Sequence, residues 1–127
     1  MDEAEFKRRT RSLAIAIVQA VEALPRTRSA DVIGRQLLRS GTSIGANYRA
    51  ACRARSAAEM IAKLGIVEEE ADETLYWLEI LDELHMVEAN DAQSLHRETN
   101  EILSMVVASK RTLKRRSESV AIGNLKS

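Results

Sequence analysis

The residues able to do covalent or metal chemistry are few: two histidines, His85 and His96, and one cysteine, Cys52. A di-iron or di-manganese site in a helical bundle needs a Glu-x-x-His step on each of two helices, because residues three apart share a face and can hold one ion between them. Asp82-x-x-His85 approximates that step once. His96 follows Gln93 at the same spacing, so the second half-site is missing. No histidine stands at a spacing that would activate Cys52 as a nucleophile, and a single cysteine more often fills a small core position. Gly41 and Gly45 follow no strand and lack the lysine of a phosphate loop. The sequence therefore predicts no enzyme, no cofactor and no metal site.

A second chemistry, attraction of polyanions, is open to the basic residues. Acids and bases cancel at 19 each, so net charge says nothing about a partner, but its distribution does. Bases cluster at Lys7, Arg8, Arg9 and Arg11, at Arg49, Arg53, Arg55 and Lys63, and at Lys110, Arg111, Lys114, Arg115 and Arg116.

The elements that must position these residues are helices. Only 3% of the 127 residues are aromatic, and one proline and five glycines interrupt a chain rich in Ala, Leu, Ile, Glu and Arg. A first helix is expected from about Asp2 to Leu24, its seam running Phe6, Thr10, Leu13, Ile17, Val21 and Leu24 in steps of three and four. Pro25 ends it. Ser29 is the expected cap of a second helix, with Asp31 in its first turn. Ile33, Leu37, Gly41, Ile44, Tyr48 and Ala51 form its stripe. Gly34, Gly41 and Gly45 each cost about 1 kcal/mol relative to Ala. A loop at Gly41-Thr42-Ser43 is one reading; the unbroken apolar phase favours a continuous helix whose small residues admit a close neighbour.

Ser56, with Glu59 three residues on, predicts the cap of a third helix with seam Met60, Leu64, Val67, Ala71, Thr74, Leu78 and Leu81, ending near His85. Asn90 and Asp91 are the expected caps of a fourth, with stripe Leu95, Thr99, Ile102, Val106, Ser109 and Leu113. From Ser117 the small and polar residues predict a frayed or disordered tail. The expected units are thus residues 1–116 as a bundle and 117–127 as a flexible tail.

Four such helices on short connections favour an all-α, antiparallel up-down-up-down four-helix bundle. In that threading the thirteen bases named above gather at one end against Asp2, Glu3, Glu5, Glu59 and Glu118, a surplus of eight positive charges. The other end is acidic through Glu79, Asp82, Glu83, Glu88, Asp91, Glu98 and Glu101. Bases at helix C-termini also complement macrodipoles, which accounts for Arg53, Arg55 and Arg111 to Arg116 but not for Lys7 to Arg11 near the start of a helix. The run Leu13-Ala14-Ile15-Ala16-Ile17-Val18 is apolar over more than one stripe, which favours subunit contacts over a lone bundle.

Lys7 to Arg11 followed by that run has the outline of a signal peptide, but Asp2, Glu3 and Glu5 precede it and no small-residue cleavage site follows Val21. No run approaches the roughly 20 apolar residues of a membrane span. With one cysteine, a reducing, cytoplasmic location and no membrane partner are expected.

Arg39, Ser43 and Asn47 lie four apart and share a helix face beside the apolar stripe; Lys63, Glu70, Thr74 and Trp77 are similarly spaced on the next helix. A buried polar network that fixes register is the expected use, with Glu70 or Glu73 as the partner of a buried Arg39. Tyr76 and Trp77 are expected as core or interface anchors rather than a ligand cage.

Arg39-Ser40-Gly41-Thr42-Ser43-Ile44-Gly45-Ala46-Asn47-Tyr48, Lys63-Leu64-Gly65-Ile66-Val67 and Ala71-Asp72-Glu73-Thr74-Leu75-Tyr76-Trp77-Leu78 together resemble the signature of the four-helix-bundle proteins encoded in intervening sequences of bacterial 23S rRNA genes. The resemblance spans roughly Phe6 to Leu113. That family includes the accessory variability proteins of diversity-generating retroelements. The resemblance implies a ring-like homopentamer that binds RNA or DNA and a reverse transcriptase.

Taken together, the sequence predicts a non-enzymatic oligomeric accessory or scaffold that binds nucleic acid through Arg8, Arg9, Arg11, Arg53, Arg55, Lys110, Arg111, Lys114, Arg115 and Arg116. Arg39, Ser43, Asn47, Tyr48, Lys63, Glu70, Glu73, Thr74, Tyr76 and Trp77 form its structural network or interface. With no aromatics among the bases, base stacking and sequence readout are not expected. The rival is an oligomeric scaffold that binds protein alone.

Overall fold

The computed structural model describes residues 2–126, and the chain is all-α: α1 Glu3–Glu22, α2 Arg28–Cys52, α3 Ala57–Glu83 and α4 Ala89–Lys126. Met1 and Ser127, the outer bounds of the two expected units, lie outside the described residues.

Each helix starts where a side chain can take up an orphan backbone N–H. Asp2 accepts from Ala4 N at 3.0 Å, and Ser56 accepts from Glu59 N at 3.1 Å. The Glu59 carboxylate returns to Arg55 N at 3.2 Å, one residue before the cap. Two caps differ from expectation. Thr27, extended at φ −122° and ψ 163°, caps α2 by accepting from Ala30 N, so Ser29 lies inside the first turn. Starting at Arg28 turns Ala30, Gly34 and Leu37 inward. Glu88 caps α4: its carboxylate accepts from Asp91 N and its carbonyl from Ala92 N, which places Asn90 and Asp91 within the helix. Helix α3 closes with His85 in the left-handed region at φ 55°, where His85 N donates to Asp82 O and Met86 N to Leu81 O. Those two bonds satisfy carbonyls the last turn would otherwise orphan.

α1 packs on α2 and α4, and α3 packs on α2 and α4, with no pair of Cα atoms within 8 Å across either diagonal among the described residues. Phe6, Ile17, Leu37, Ile44, Leu64, Val67, Leu81, Ile102 and Val106 are fully buried along the shared axis. Helix α2 is continuous through its glycines, and α1 occupies the space that side chains at Gly41 and Gly45 would take. A Cβ at Gly41 would lie 2.5 Å from Ile17 Cδ1, and one at Gly45 would lie 3.0 Å from Thr10 Oγ1. Further along, Tyr48 meets Phe6 with ring centroids 4.3 Å apart. Partners on α1 thus fall in number as those on α2 rise. The same holds between α3 and α4, where Glu79 meets His96 and Glu68 meets Lys110.

Within the described residues, 117–126 of the expected tail are helical. Helix α4 continues through Lys126, and from Lys114 to Leu125 every side chain is exposed. Helical bonds are local, so α4 extends about 20 Å past its last half-buried residue, Leu113. Outside the core, Ile15, Val18, Val32, Ile66 and Tyr76 remain 37–56% exposed. No described helix is long and apolar enough to cross a membrane.

Candidate nucleic-acid interface

One end of the bundle brings together the start of α1, the end of α2, the start of α3 and the later part of α4: Glu3, Cys52, Met60, Leu64 and Arg116 line one shallow cavity of about 480 Å³ there. In its lining Cys52 sits with Glu3 and Tyr48, and burial, more than the Glu3 carboxylate, pushes the thiol above its ordinary range. The Glu3 carboxyl is held below its usual range, first by the bond from Cys52 and then by the Lys7 charge. Burial raises the Tyr48 phenol above its usual range, which keeps it neutral.

The ten expected nucleic-acid contacts do not act alike. Arg9 is spent inside the fold. Its guanidinium reaches Glu98 and, at 2.8 Å, Glu101, and only 20% of its side chain is exposed. These carboxylates push Arg9 further above an already high value. Glu98 and Glu101 therefore neutralise a base on α1 and do not belong to an acidic far end. Lys110, also 20% exposed, pairs with Glu68 at 3.2 Å. Arg8 forms a loose, exposed pair with Glu5 at 3.7 Å. Arg11, Arg53, Arg55, Arg111, Lys114, Arg115 and Arg116 are exposed and form no ion pair among the described residues. Arg53 and Arg55 stand at the α2–α3 turn, and Lys114 to Arg116 at the foot of the α4 overhang.

The expected polar network is smaller than its spacing suggested. Arg39 pairs with Glu70 at 3.2 Å and with Glu73, but its side chain is 49% exposed, so this is a surface clamp between α2 and α3. Ser43 donates to Arg39 O and Asn47 to Ser43 O, both on their own helix. A short polar side chain in a helix finds the carbonyl four residues back before it finds a neighbour. Lys63 has no polar partner among the described residues. Tyr48 is core. The buried interhelical contact is instead Thr74 Oγ1 to Ser40 Oγ at 3.0 Å, both residues fully buried. Ser40 was missed as part of the network; its place four before Ile44 and three after Leu37 marks it as inward-facing. Tyr76 is 56% exposed and packs edge-on with Trp77, whose buried Nε1 has no hydrogen-bond partner among the described residues.

The arrangement can hold anions on an end rich in free guanidinium groups, and among the described residues no cluster of His, Cys, Asp or Glu could hold a metal ion. Comparison with curated proteins returns no match. Among solved structures, the chain is similar to a protein of unknown function from the S23 ribosomal protein family of Bacteroides thetaiotaomicron, at 35% identity and a TM-score of 0.81, covering 87% of this chain and 99% of that one. The family model described as 23S rRNA-intervening sequence protein matches residues 2–108, which hold all of the buried core, while Lys110, Arg111 and Lys114 to Arg116 lie beyond the match. The chain belongs to the 23S rRNA-intervening sequence protein family.

Proposed function

We propose that this protein is a non-enzymatic, cytoplasmic, homo-oligomeric scaffold that binds RNA or DNA through the basic end of an antiparallel up-down-up-down bundle. The observation that carries this reading is a set of exposed bases with no ion pair among the described residues: Arg53, Arg55, Arg111, Lys114, Arg115 and Arg116. Cations without internal partners keep their full charge for a polyanion, and releasing its counterions drives binding in a strongly salt-dependent way. Arg9 and Lys110, already paired, take no part. Exposed Val18, Val32, Ile66 and Tyr76 supply apolar area for self-association. The pentameric ring and the handing of nucleic acid to a reverse transcriptase follow from the family resemblance.

The test is titration of duplex DNA, structured RNA and single strands at several salt concentrations. Replacing Arg111, Lys114, Arg115 and Arg116 by Gln should flatten the slope of log K against log salt by about 0.9 for each duplex phosphate that is no longer neutralised. Absence of binding to all three polymers at low salt would end the reading. A protein-only scaffold would instead show impaired self-association or partner binding in the same variant.

A further inference from the structure

Between α1 and α2 lies a groove of about 740 Å³ whose lining includes Lys7, Arg8, Arg11 and Arg49 and no carboxylate. Arg11 and Arg49 form no ion pair among the described residues; Lys7 and Arg8 have only loose partners, Glu3 and Glu5, on their own helix at 3.7 Å. Such exposed pairs hold their charges weakly. The contacts of Gly45 with Thr10 and of Tyr48 with Phe6 put Arg49 level with the basic turn of α1. The cations therefore collect at one end of the groove. Its other end is walled by Ala14, Ile15 and Thr42, and Ala46 sits between the two ends. From Arg8 to Ile15 the groove runs about 10 Å along α1.

A cationic end joined to an apolar, hydroxyl-bearing end suits a ligand with an anionic head and a flat, less polar body. Guanidinium groups bind phosphate oxygens in pairs, and the small side chains leave room for a sugar and base. A duplex turns its bases inward and offers this groove only its phosphates. We infer that the α1–α2 groove seats a phosphorylated nucleoside unit, presented by an unpaired nucleic-acid strand or as a free nucleotide. This rests on the nucleic-acid reading above and deepens it by naming the form of ligand. Without an aromatic wall the seat is tolerant of base identity.

The test uses two variants and three probes. Ala46→Leu fills the groove without changing charge, on an exposed position of α2 where Leu is a good helix former. Arg49→Gln removes one cation. The probes are a 5′-phosphorylated oligothymidylate, adenosine monophosphate and a blunt DNA duplex. Both variants should weaken oligothymidylate binding by about tenfold or more, through removal of a charge-assisted pair or of the seat itself, while Ala46→Leu leaves duplex affinity unchanged. Competition by adenosine monophosphate identifies the free nucleotide as sufficient; its failure identifies the strand. Oligothymidylate binding untouched by Ala46→Leu overturns the inference yet leaves the basic-end reading intact. So does a fall in sedimenting mass in place of weakened binding, which would make the groove an interface between copies. A parent protein that binds adenosine monophosphate but no polymer would sustain the groove and defeat the basic-end reading.

Discussion

Replacing Gly41 by Ala sets two opposed effects against each other in the tightest part of the α1–α2 packing. In an open helix the substitution would gain about 1 kcal/mol from helix propensity. Here the new methyl would stand 2.5 Å from Ile17 Cδ1, 3.0 Å from its Cγ2 and 3.4 Å from its Cγ1. Ile17 is fully buried, so it has no open side to swing into, and its β-branch fixes χ1. Overpacking of this kind costs about 1–3 kcal/mol, and interference with more than one Ile17 atom points to the upper half of that range. The net expectation is a loss of about 1–2 kcal/mol. Ile17→Val removes the worst clash; alone it should cost about 0.5–1.5 kcal/mol. In the double variant the clash is largely gone and the helix gain returns, so the two losses should fall short of additive by about 1 kcal/mol or more. Urea unfolding followed by far-ultraviolet circular dichroism, at one fixed protein concentration, measures all four species. Gly65 is the control: nothing lies within 4 Å of a Cβ there, so Gly65→Ala should gain up to about 1 kcal/mol. A Gly41→Ala protein as stable as its parent, or strict additivity with Ile17→Val, would refute the close-approach argument.

The remaining expectations concern polar groups. Thr74→Val removes the bond to Ser40 and should cost about 1 kcal/mol, and Ser40→Ala should then cost less in that background than in the parent, as a double-mutant cycle would read. Arg9→Met leaves Glu98 and Glu101 without their base; it should lower stability by about 1 kcal/mol, less at high salt, while duplex affinity stays at the parent value in a binding titration. Cys52 should alkylate more slowly near neutral pH than a short unstructured thiol peptide, because its buried thiol holds the proton. The folded thiol is raised above its unfolded value, so this stability is whole below the ordinary thiol range and is lost as pH rises through the folded value. Cys52→Ala should remove that part of the alkaline decline in denaturant titrations.

Helix number and inward faces were legible in the sequence because a 3.6-residue period is a local property: Phe6, Leu13, Ile17, Leu37, Ile44, Leu64, Val67, Leu78, Ile102 and Val106 all stand on the stripes the spacing predicts, and all are buried. The continuity of α2 through Gly34, Gly41 and Gly45 was legible for the same reason, since the apolar phase does not slip across them. Helix ends were less so. Thr27 and Glu88 displaced Ser29 and the Asn90-Asp91 pair as caps, because several neighbouring oxygens can satisfy the same first-turn donors and the winner depends on which register buries the following turn. Family membership was also carried by local motifs, in residues 39–48, 63–67 and 71–78.

What sequence could not decide is which charges are spent inside the fold. Arg9 and Arg11 lie two residues apart in one basic run, yet one is clamped by Glu98 and Glu101 on α4 and the other opens onto the α1–α2 groove. Ser43 and Asn47 share the spacing of Arg39 but bond to their own backbone, while Ser40, about 100° round the helix from Arg39, makes the buried bridge to Thr74. A charge or hydroxyl is committed by whatever packs within about 3 Å of it, and that neighbour is brought from a distant part of the chain. Periodicity names the face a residue occupies; only the packed helices determine what faces it.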